Sequence, residues 1–353
     1  MRTRSEWSYQ SVLVLSCDSK GKIMRILLEE TDSITPNLLR EFLSAVEFSK
    51  FRSWPRVTQS NVTEFLFDEL SVSNQTQKVF LGTSRGQIVV LLAFHMLKWD
   101  SKHFGFPSGQ ISHLLYNKET DSGLVLLAVK KVLKGLQNYC SREGIRFVAA
   151  DVDSWNSEVN IALQDVGFQY ILSWIDGYSN YVGQIPNLPD GAEIGFAHPE
   201  ELSDLSLLSR NHSFKGGRFY LDHRFDSNKV DEMYGELLLN SFQADDVILV
   251  YRLKSKPIGV FVCKKITSYS QFSDLRVAPL RYLCVDPKYR KNRVGFDLFA
   301  EMLMYLDKQS DLITTGLEIH NTASANLHSK LGFVFNYTHN AFHWWNSVAN
   351  STE

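Results

Sequence analysis

A short cationic loop between two apolar stretches is the part of this sequence that most directly suggests chemistry. The apolar strand before it ends with Leu283, Cys284 and Val285, and a helical pattern begins near Val294. The loop itself contains Arg290, Lys291, Asn292 and Arg293. Backbone N–H groups at a helix start, the helix dipole and nearby Arg and Lys side chains together bind anions. Gly295 would let a phosphate-bearing ligand approach the backbone closely.

A second pattern begins about thirty residues later and occurs twice in the chain. Asn321 follows a strand-like segment, and Gly332-Phe333 comes eleven residues after it. In the first half, Asn156 and Gly167-Phe168 have the same spacing. Asn is favoured at a helix amino terminus and Gly just past its end, so each copy predicts a short helix between two strands.

Helical spacing of apolar residues precedes both copies, at 124–140 and 296–306. The sequence therefore predicts the order strand–helix–strand–helix–strand in each half. The sequence predicts an α/β fold with a mixed sheet, built as a tandem duplication. The densest cluster of Gly, Pro and Asn is at 183–191, which predicts domains at 1–185 and 186–353.

The second half has further recognisable elements ahead of the cationic loop. A strand is expected near Ile194, a helix beginning at Pro199, and irregular helical segments over 211–242. Two strands, 246–253 and 258–266, are expected to form a hairpin.

The first half lacks the cationic loop. Its corresponding segment, 117–123, has Lys118 as its only cation, and Glu119 and Asp121 would repel a phosphate. We therefore interpret the first half as a degenerate copy that supports the second.

Composition excludes several classes of function. A net charge of −2 provides no overall basic surface for nucleic acid or an anionic membrane. No apolar run approaches the roughly 18 residues that a spanning helix needs, so membrane insertion is not expected. The apolar run at 12–15 is too short for a signal sequence, and a cytoplasmic location is expected.

The four cysteines, Cys17, Cys140, Cys263 and Cys284, form no CxxC pair and lack histidines at zinc spacing. We expect buried free thiols and no metal.

The stretch 283–295 resembles the acetyl-CoA signature of the GNAT acetyltransferases, and 321–333 resembles the closing motif of that family. The resemblance implies acetyl-CoA as co-substrate and direct acetyl transfer to an amine without a protein nucleophile. It also implies that the strand ending at Val285 and the strand before Asn321 diverge. Backbone N–H groups of 283–285 would then face the pantetheine and the thioester carbonyl, with Asn321 nearby. Arg293 replaces the family's first glycine, and a left-handed backbone there would cost about 1–2 kcal/mol.

The resemblance also implies a proton donor for the departing thiolate. In the family a Tyr on the last helix has this role, and His328 occupies the matching position. A histidine can donate a proton near neutral pH. The alternatives are that His328 only packs on the helix surface, or that Tyr337, His320 or His343 acts instead.

Two further stretches resemble the two-domain enzymes of the dTDP-fucosamine acetyltransferase type, at 97–107 and 217–225. This resemblance implies an amino-deoxysugar linked to a nucleotide as acceptor. Residues suited to a diphosphate and a sugar ring are Arg218, Tyr220, Asp222 and Arg224. The alternatives are another small amine, a protein amino terminus, or a silent module that binds CoA or a partner protein. A homodimer is compatible with all of them.

Overall fold

A computed structural model describes residues 14–17, 23–32, 34–47, 50–51, 54–72, 77–179, 183 and 185–347. The side chains of residues 1–24 are not described, so the expectations for Cys17 and the amino-terminal apolar run lie outside the described residues. None of the helices in the described ranges has the length and hydropathy needed to cross a bilayer.

The chain alternates between strands and helices. The strands are β1 (Val14–Cys17), β2 (Ile23–Thr31), β3 (Gln77–Ser84), β4 (Gln87–Met96), β5 (Ser108–Tyr116), β6 (Phe147–Asp153), β7 (Gln169–Ser179), β8 (Ala192–Phe196), β9 (Val247–Leu253), β10 (Lys256–Cys263), β11 (Thr267–Tyr269), β12 (Leu275–Val285), β13 (Leu312–Glu318) and β14 (Phe333–Trp345). The helices are α1 (Pro36–Ser44), α2 (Gln59–Val72), α3 (Lys98–Phe104), α4 (Ser122–Arg142), α5 (Ser157–Asp165), α6 (Leu202–His212), α7 (Arg218–Leu221), α8 (Ser227–Gln243), α9 (Val294–Asp307) and α10 (Thr322–Lys330).

The chain forms two compact units, and it passes between them more than once. The first unit comprises Met1–Arg52, Val57–Ile171 and His339–Glu353; the second comprises Ser53–Arg56 and Leu172–Thr338. The segment 183–191, where the sequence analysis divided the chain, lies inside the second unit. Most of β7 belongs to the second unit, and the last seven residues of β14 belong to the first.

The first unit is an open sheet covered by the long helix α4. Its strands follow the order β1 to β6, and the end of β14 pairs with β6, from His339 opposite Asp153 to Trp345 opposite Phe147. β5 and β6 are parallel, as the duplication requires. Buried apolar residues of α4 pack on the sheet, and Asp121 caps its amino terminus, accepting from the Gly123 N–H at 3.0 Å. This capping carboxylate lies where a phosphate-binding loop would need a cation.

The second unit has helices on both faces of its sheet. The strand order is β7-β13-β12-β10-β9-β8, and β11 adds to β12. Buried residues of α9 pack on one face, with Phe299 against Phe261. Leu205 and Leu208 of α6 and Leu238 of α8 pack on the other. Helices on two faces confirm the predicted mixed α/β class.

The repeated motif has the expected local structure in both units. The side chains of Asn156 and Asn321 cap α5 and α10, each accepting from a backbone N–H at 3.3 Å. Gly167 and Gly332 end the helices with positive φ, +92° and +81°. The helices predicted at 124–140 and 296–306 are contained in α4 and α9. These predictions are confirmed.

The predicted hairpin is present, with a tighter turn than expected. β10 begins at Lys256 and ends at Cys263, earlier at both ends than the predicted strand 258–266. The turn consists of Lys254 and Ser255 alone, with φ values of +50° and +62°. A two-residue hairpin turn with both residues at positive φ is favoured because its backbone twist matches the right-handed twist of the two strands.

The described cysteines are free and buried, as predicted. Burial raises the pKa of the Cys140 and Cys263 thiols to about 12 and that of Cys284 to about 11. At neutral pH all three are protonated and therefore poor nucleophiles.

Candidate active site

The two central strands of the second unit diverge, as the resemblance implied. β12 and β13 are paired in parallel at Val277, Ala278 and Pro279. Within the described chain the pairing ends there, and the rest of β13 pairs only with β7, on its other side. The β13-facing edge of residues 280–285 is therefore left without a partner strand. Such an edge can donate N–H groups to an extended ligand.

A bulge in β12 accounts for the divergence. Val262 lies opposite Tyr282 and Cys263 opposite Leu280, so Arg281 is an extra residue. A bulge bends its strand and increases the local twist. The Arg281 guanidinium donates to Ser241 Oγ at 3.1 Å and lies 3.6 Å from the Asp246 carboxylate, which anchors the bulge.

The cationic loop connects the end of β12 to α9. Arg290 donates from Nε to the Val285 carbonyl and from Nη2 to the His212 carbonyl, both at 3.0 Å. The Arg290 side chain thus fastens the loop to β12 and to the end of α6. Lys291 is exposed, and its ammonium makes no hydrogen bond or ion pair within the described residues. Asn292 is exposed beside it.

Arg293 adopts the left-handed conformation that the sequence analysis considered. Its φ is +62° and ψ −6°, at the residue just before α9. The guanidinium lies 3.2 Å from the buried carboxylate of Asp297 and over the ring of Phe296 at 4.6 Å. The side chain therefore folds back along the helix. Some of its N–H groups remain for an anion, since a guanidinium has several.

The packing around Gly295 does not require a glycine at this position. A Cβ added there would meet only the Val285 side chain, at 3.7 Å, which is ordinary van der Waals contact. Space is thus left over the first turn of α9, beside Val294 and the loop. A phosphate-bearing ligand fits a helix start of this kind.

His328 lies in the core, and its ring nitrogens are both engaged. Nε2 is 2.9 Å from Thr315 Oγ1, and Nδ1 is 2.8 Å from the Ser324 carbonyl oxygen. The ring packs edge-on against Phe299 and Phe333. Burial lowers the pKa of His328 to about 4, so the ring is neutral at physiological pH. Since it is only 8% exposed, a role as proton donor stays a prediction that this geometry does not favour.

The three alternative proton donors, which the sequence analysis named, lie in different surroundings. His320 is exposed, and its Nε2 lies 3.0 Å from the Gly216 carbonyl, to which it donates. Tyr337 is half-buried on β14. His343 is in the first unit, fully buried against Phe147.

The predicted acceptor residues separate into two pairs. Asp222 is buried and is held by Arg224, which donates from Nε at 2.7 Å and from Nη2 at 3.0 Å. This ion pair is internal to the protein. Arg218 is at the start of α7, above the ring of Phe219, and Tyr220 donates its hydroxyl proton to Asp231.

Tyr220 belongs to a row of tyrosines that the sequence analysis did not identify. Its ring stacks on Tyr234 at 6.0 Å between centroids, and Tyr234 lies 5.7 Å from Tyr282 of β12. Burial raises the pKa of Tyr234, and the neighbouring Glu318 charge raises it further. Burial also raises the pKa of Tyr220 and Tyr282, so the tyrosine row (Tyr220, Tyr234 and Tyr282) stays protonated, with the Tyr234 hydroxyl near the end of β13.

Glu318, the last residue of β13, was also missed. A Cβ added at Gly217 would lie 3.0 Å from Tyr234 Oη and 3.7 Å from a Glu318 carboxylate oxygen. The backbone before α7 therefore passes directly over both groups, and a side chain at position 217 would crowd the Tyr234 hydroxyl. The signal in the sequence was a charged residue at the end of an otherwise uncharged strand.

The arrangement fits a thioester of CoA. The strand gap offers backbone donors for the pantetheine arm, and the loop and helix start offer positive charge and space for phosphates. Within the described residues no cluster of side chains could hold a metal ion.

Comparison with known proteins agrees with this geometry. Residues 218–333 match the model of the acetyltransferase (GNAT) family. A curated relative, the spore coat polysaccharide biosynthesis protein SpsD of Bacillus subtilis (strain 168), is 21% identical over 199 residues, covering 53% of this chain. The match spans 65% of that relative's length.

Solved structures show the same fold. A tandem GNAT protein from the clavulanic acid biosynthesis pathway covers 92% of this chain and all of its own, with a TM-score of 0.55 and 13% identity. A GCN5-related N-acetyltransferase from Sphaerobacter thermophilus covers 90% of this chain and 96% of its own, with a TM-score of 0.56 and 10% identity. The family match, which agrees with the diverging strands and the anion loop, shows that residues 218–333 form a domain of the acetyltransferase (GNAT) family within the second unit.

Proposed function

We propose that the second unit transfers the acetyl group of acetyl-CoA to the primary amine of a nucleotide-linked amino-deoxysugar. The divergence of β12 from β13 after Pro279 carries this proposal. It creates a cleft with backbone donors on one wall and the cationic loop at one end. The tyrosine row lies near Glu318, the last residue of β13, and we place the acceptor there.

Each part of the cleft has a separate task. The free edge of Leu283 to Val285 donates hydrogen bonds to the pantetheine amides and to the thioester carbonyl. Donors aimed at that carbonyl stabilise the oxyanion of the tetrahedral intermediate. The loop from Arg290 to Arg293 and the first turn of α9 hold the phosphates, with Arg290 fixing the loop and Lys291 free to approach the ligand.

The thioester supplies an activated acetyl group, so no covalent protein intermediate is needed. The buried thiol of Cys284 agrees with this, since it lies within the strand yet stays protonated. We assign His328 a structural role in joining α10 to Thr315 of β13.

Two observations support a sugar as acceptor. Tyrosine rings with their hydroxyl groups suit the apolar faces and the hydroxyls of a sugar, and Arg218 beside them suits a diphosphate. The relative from Bacillus subtilis is named for polysaccharide biosynthesis. Arg218→Ala should therefore raise the acceptor's KM about 10-fold or more while leaving that of acetyl-CoA nearly unchanged, as expected for one charge-assisted contact.

A thiol-release assay with acetyl-CoA tests the proposal directly. The panel should contain UDP- and dTDP-linked amino-deoxysugars, spermidine and a short peptide with a free amino terminus. We expect a nucleotide sugar to give the highest kcat/KM. Higher turnover with spermidine or the peptide would assign the acceptor to another class of amine. No CoA binding by the full chain would contradict the enzyme assignment itself.

A further inference from the structure

We propose that the free outer edge of β8 is a dimerisation surface, and that its partner is β8 of a second copy of this chain, paired antiparallel. β8 (Ala192–Phe196) is the last strand in the sheet order of the second unit, and in the described residues it pairs only with β9. β9 and β10 lie between β8 and the diverging strands, so this surface is not part of the cleft.

The direction of the backbone groups in β8 follows from the contacts at its two ends. Lys254 donates its N–H to the Gly191 carbonyl at 2.8 Å, and Ala197 donates its N–H to the Ile248 carbonyl at 3.0 Å. Gly191 and Ala197 therefore direct their polar groups toward β9. Since this direction alternates along an antiparallel strand, the odd-numbered residues between them also face β9. The backbone groups of the even-numbered residues, 192, 194 and 196, face outward.

Some of these outward groups already have partners inside the chain. The Ala192 N–H donates to the Pro189 carbonyl at 3.0 Å, and the Phe196 carbonyl accepts from Arg252 Nη2 at 2.8 Å. The groups that make no hydrogen bond within the described ranges are the N–H and carbonyl of Ile194, the carbonyl of Ala192 and the N–H of Phe196. A strand edge with open backbone groups is a template for pairing with another strand.

The open groups of β8 are complementary to themselves under a two-fold axis. With Ile194 opposite Ile194 of the second copy, each Ile194 N–H donates to the other's carbonyl. Phe196 is then opposite Ala192 of the second copy, and its N–H donates to that carbonyl. Each open group is used once, and none of them competes with Pro189 or Arg252. A two-fold contact of this kind closes on itself and joins two copies only.

The side chains of β8 fit the same register. Those of residues 192, 194 and 196 lie on the α9 face of the sheet, where Phe196 packs edge-on against Tyr305 and is 50% exposed. The two-fold pairing places the large ring of Phe196 beside the small Ala192 of the second copy, which covers part of the exposed ring. On the other face Glu193 comes opposite Gly195, so no like charges meet.

The residues that flank β8 are complementary as well. Asp190 and His198 are both exposed and lie equally far from Ile194 in the sequence. In the two-fold pairing Asp190 of one copy comes near His198 of the other, where the carboxylate can accept a hydrogen bond from the imidazole. Strand edges that must stay single commonly carry Lys, Pro or a bulge. β8 contains none of these, and its register with β9 is unbroken, so its outer edge is open to pairing.

The test measures the mass of the full-length chain by sedimentation equilibrium over a wide range of micromolar concentrations. Ile194→Pro removes the central N–H donor, and Pro is tolerated where the N–H of an edge strand faces outward. Phe196→Lys places a charge beside Ala192 of the second copy. The control Glu193→Gln changes a residue of the same strand whose backbone groups face β9. Circular dichroism checks that each variant is folded.

We expect a reversible equilibrium between monomer and dimer in the wild type, because two short strands form a small interface. Ile194→Pro should raise the dissociation constant of the dimer about 30-fold or more, since each dimer loses both central hydrogen bonds. Phe196→Lys should raise it about 10-fold or more through the lost apolar contact of the ring. Glu193→Gln should stay within about threefold of wild type, because it removes no hydrogen bond of the pairing.

Hydrogen exchange locates the contact independently of the variants. The Ile194 and Phe196 amides should exchange more slowly as the protein concentration rises, because the dimer protects them. The Glu193 and Gly195 amides should not respond, because they face β9 in the monomer already.

A wild-type chain that remains monomeric at every concentration would overturn this assignment. A dimer that survives both Ile194→Pro and Phe196→Lys would also overturn it, because the contact would then lie elsewhere. If Ile194→Pro does not fold, hydrogen exchange of the wild type decides. Exchange of the Ile194 and Phe196 amides that is the same at every concentration contradicts pairing at β8.

Discussion

The burial of His328 predicts a specific pH dependence of stability. The imidazole has an ordinary pKa of about 6.5 in the unfolded chain, and burial lowers it to about 4 in the folded protein. A lowered pKa in the folded state means that the unfolded chain binds the proton more tightly. The stabilisation is therefore complete above pH 6.5 and is lost as pH falls from there toward 4.

The magnitude follows from the linkage relation. With those two pKa values, protonation of the unfolded chain lowers the free energy of unfolding by about 2 kcal/mol between pH 7.5 and pH 5. His328→Phe keeps an aromatic ring among Phe299 and Phe333 and removes the titration. The variant loses two hydrogen bonds, so it should be less stable at pH 7.5. From pH 7.5 to 5, however, it should lose about 2 kcal/mol less than wild type.

Urea denaturation at the two pH values measures this difference, and NMR titration of the imidazole gives the pKa directly. The same variant tests catalysis, because a structural role leaves kcat within about threefold at pH 7.5, where both proteins are folded. A pKa above 6, or an equal loss of stability in both proteins, would refute the burial argument. A loss of kcat of about 10²–10⁴ with unchanged acetyl-CoA affinity would restore His328 as proton donor.

Three other perturbations test the arrangement of the second unit. Lys291→Ala should raise the Kd for acetyl-CoA about 10-fold. The control Lys288→Ala also removes an exposed cation between β12 and α9, and it should change the Kd less than threefold. Equal effects of the two substitutions would indicate only a general charge effect. Arg224→Ala should lower the free energy of unfolding by about 2–4 kcal/mol, because it removes a guanidinium that forms an ion pair with the buried carboxylate of Asp222. A selective rise in the acceptor's KM at unchanged stability would contradict this. A fragment of residues 186–353 should be unfolded by circular dichroism, because it lacks β7 and leaves an edge of β13 unpaired; a cooperative unfolding transition would show that β7 is dispensable.

Local chemistry made part of this structure predictable. The caps at Asn156 and Asn321, and the glycines that end α5 and α10, are determined by a few neighbouring residues, so their spacing sufficed. A left-handed backbone at Arg293 was considered because Arg293 stands where the family has a glycine, and the structure has that conformation. The divergence of β12 and β13 was an implication of the resemblance.

Other features depend on contacts that sequence spacing does not encode. The position of His328 in α10 was predicted, but the side that its ring faces depends on Thr315 and the aromatic core. Tyr282 and Glu318 lie on different strands and come near Tyr234 only through the fold. Strand periodicity gives the face of a residue but not the partner of a strand, so the placement of β7 and β14 was not anticipated.

The path of β14 has a consequence for synthesis on the ribosome. Domains of a nascent chain generally fold in order, the amino-terminal one first. Here the first unit's β6 pairs with residues 339–345, which are made only after the whole stretch from Leu172 to Thr338. Until then the edge of β6 has no permanent neighbour. The first unit is therefore the earlier one to be translated and the later one to be completed.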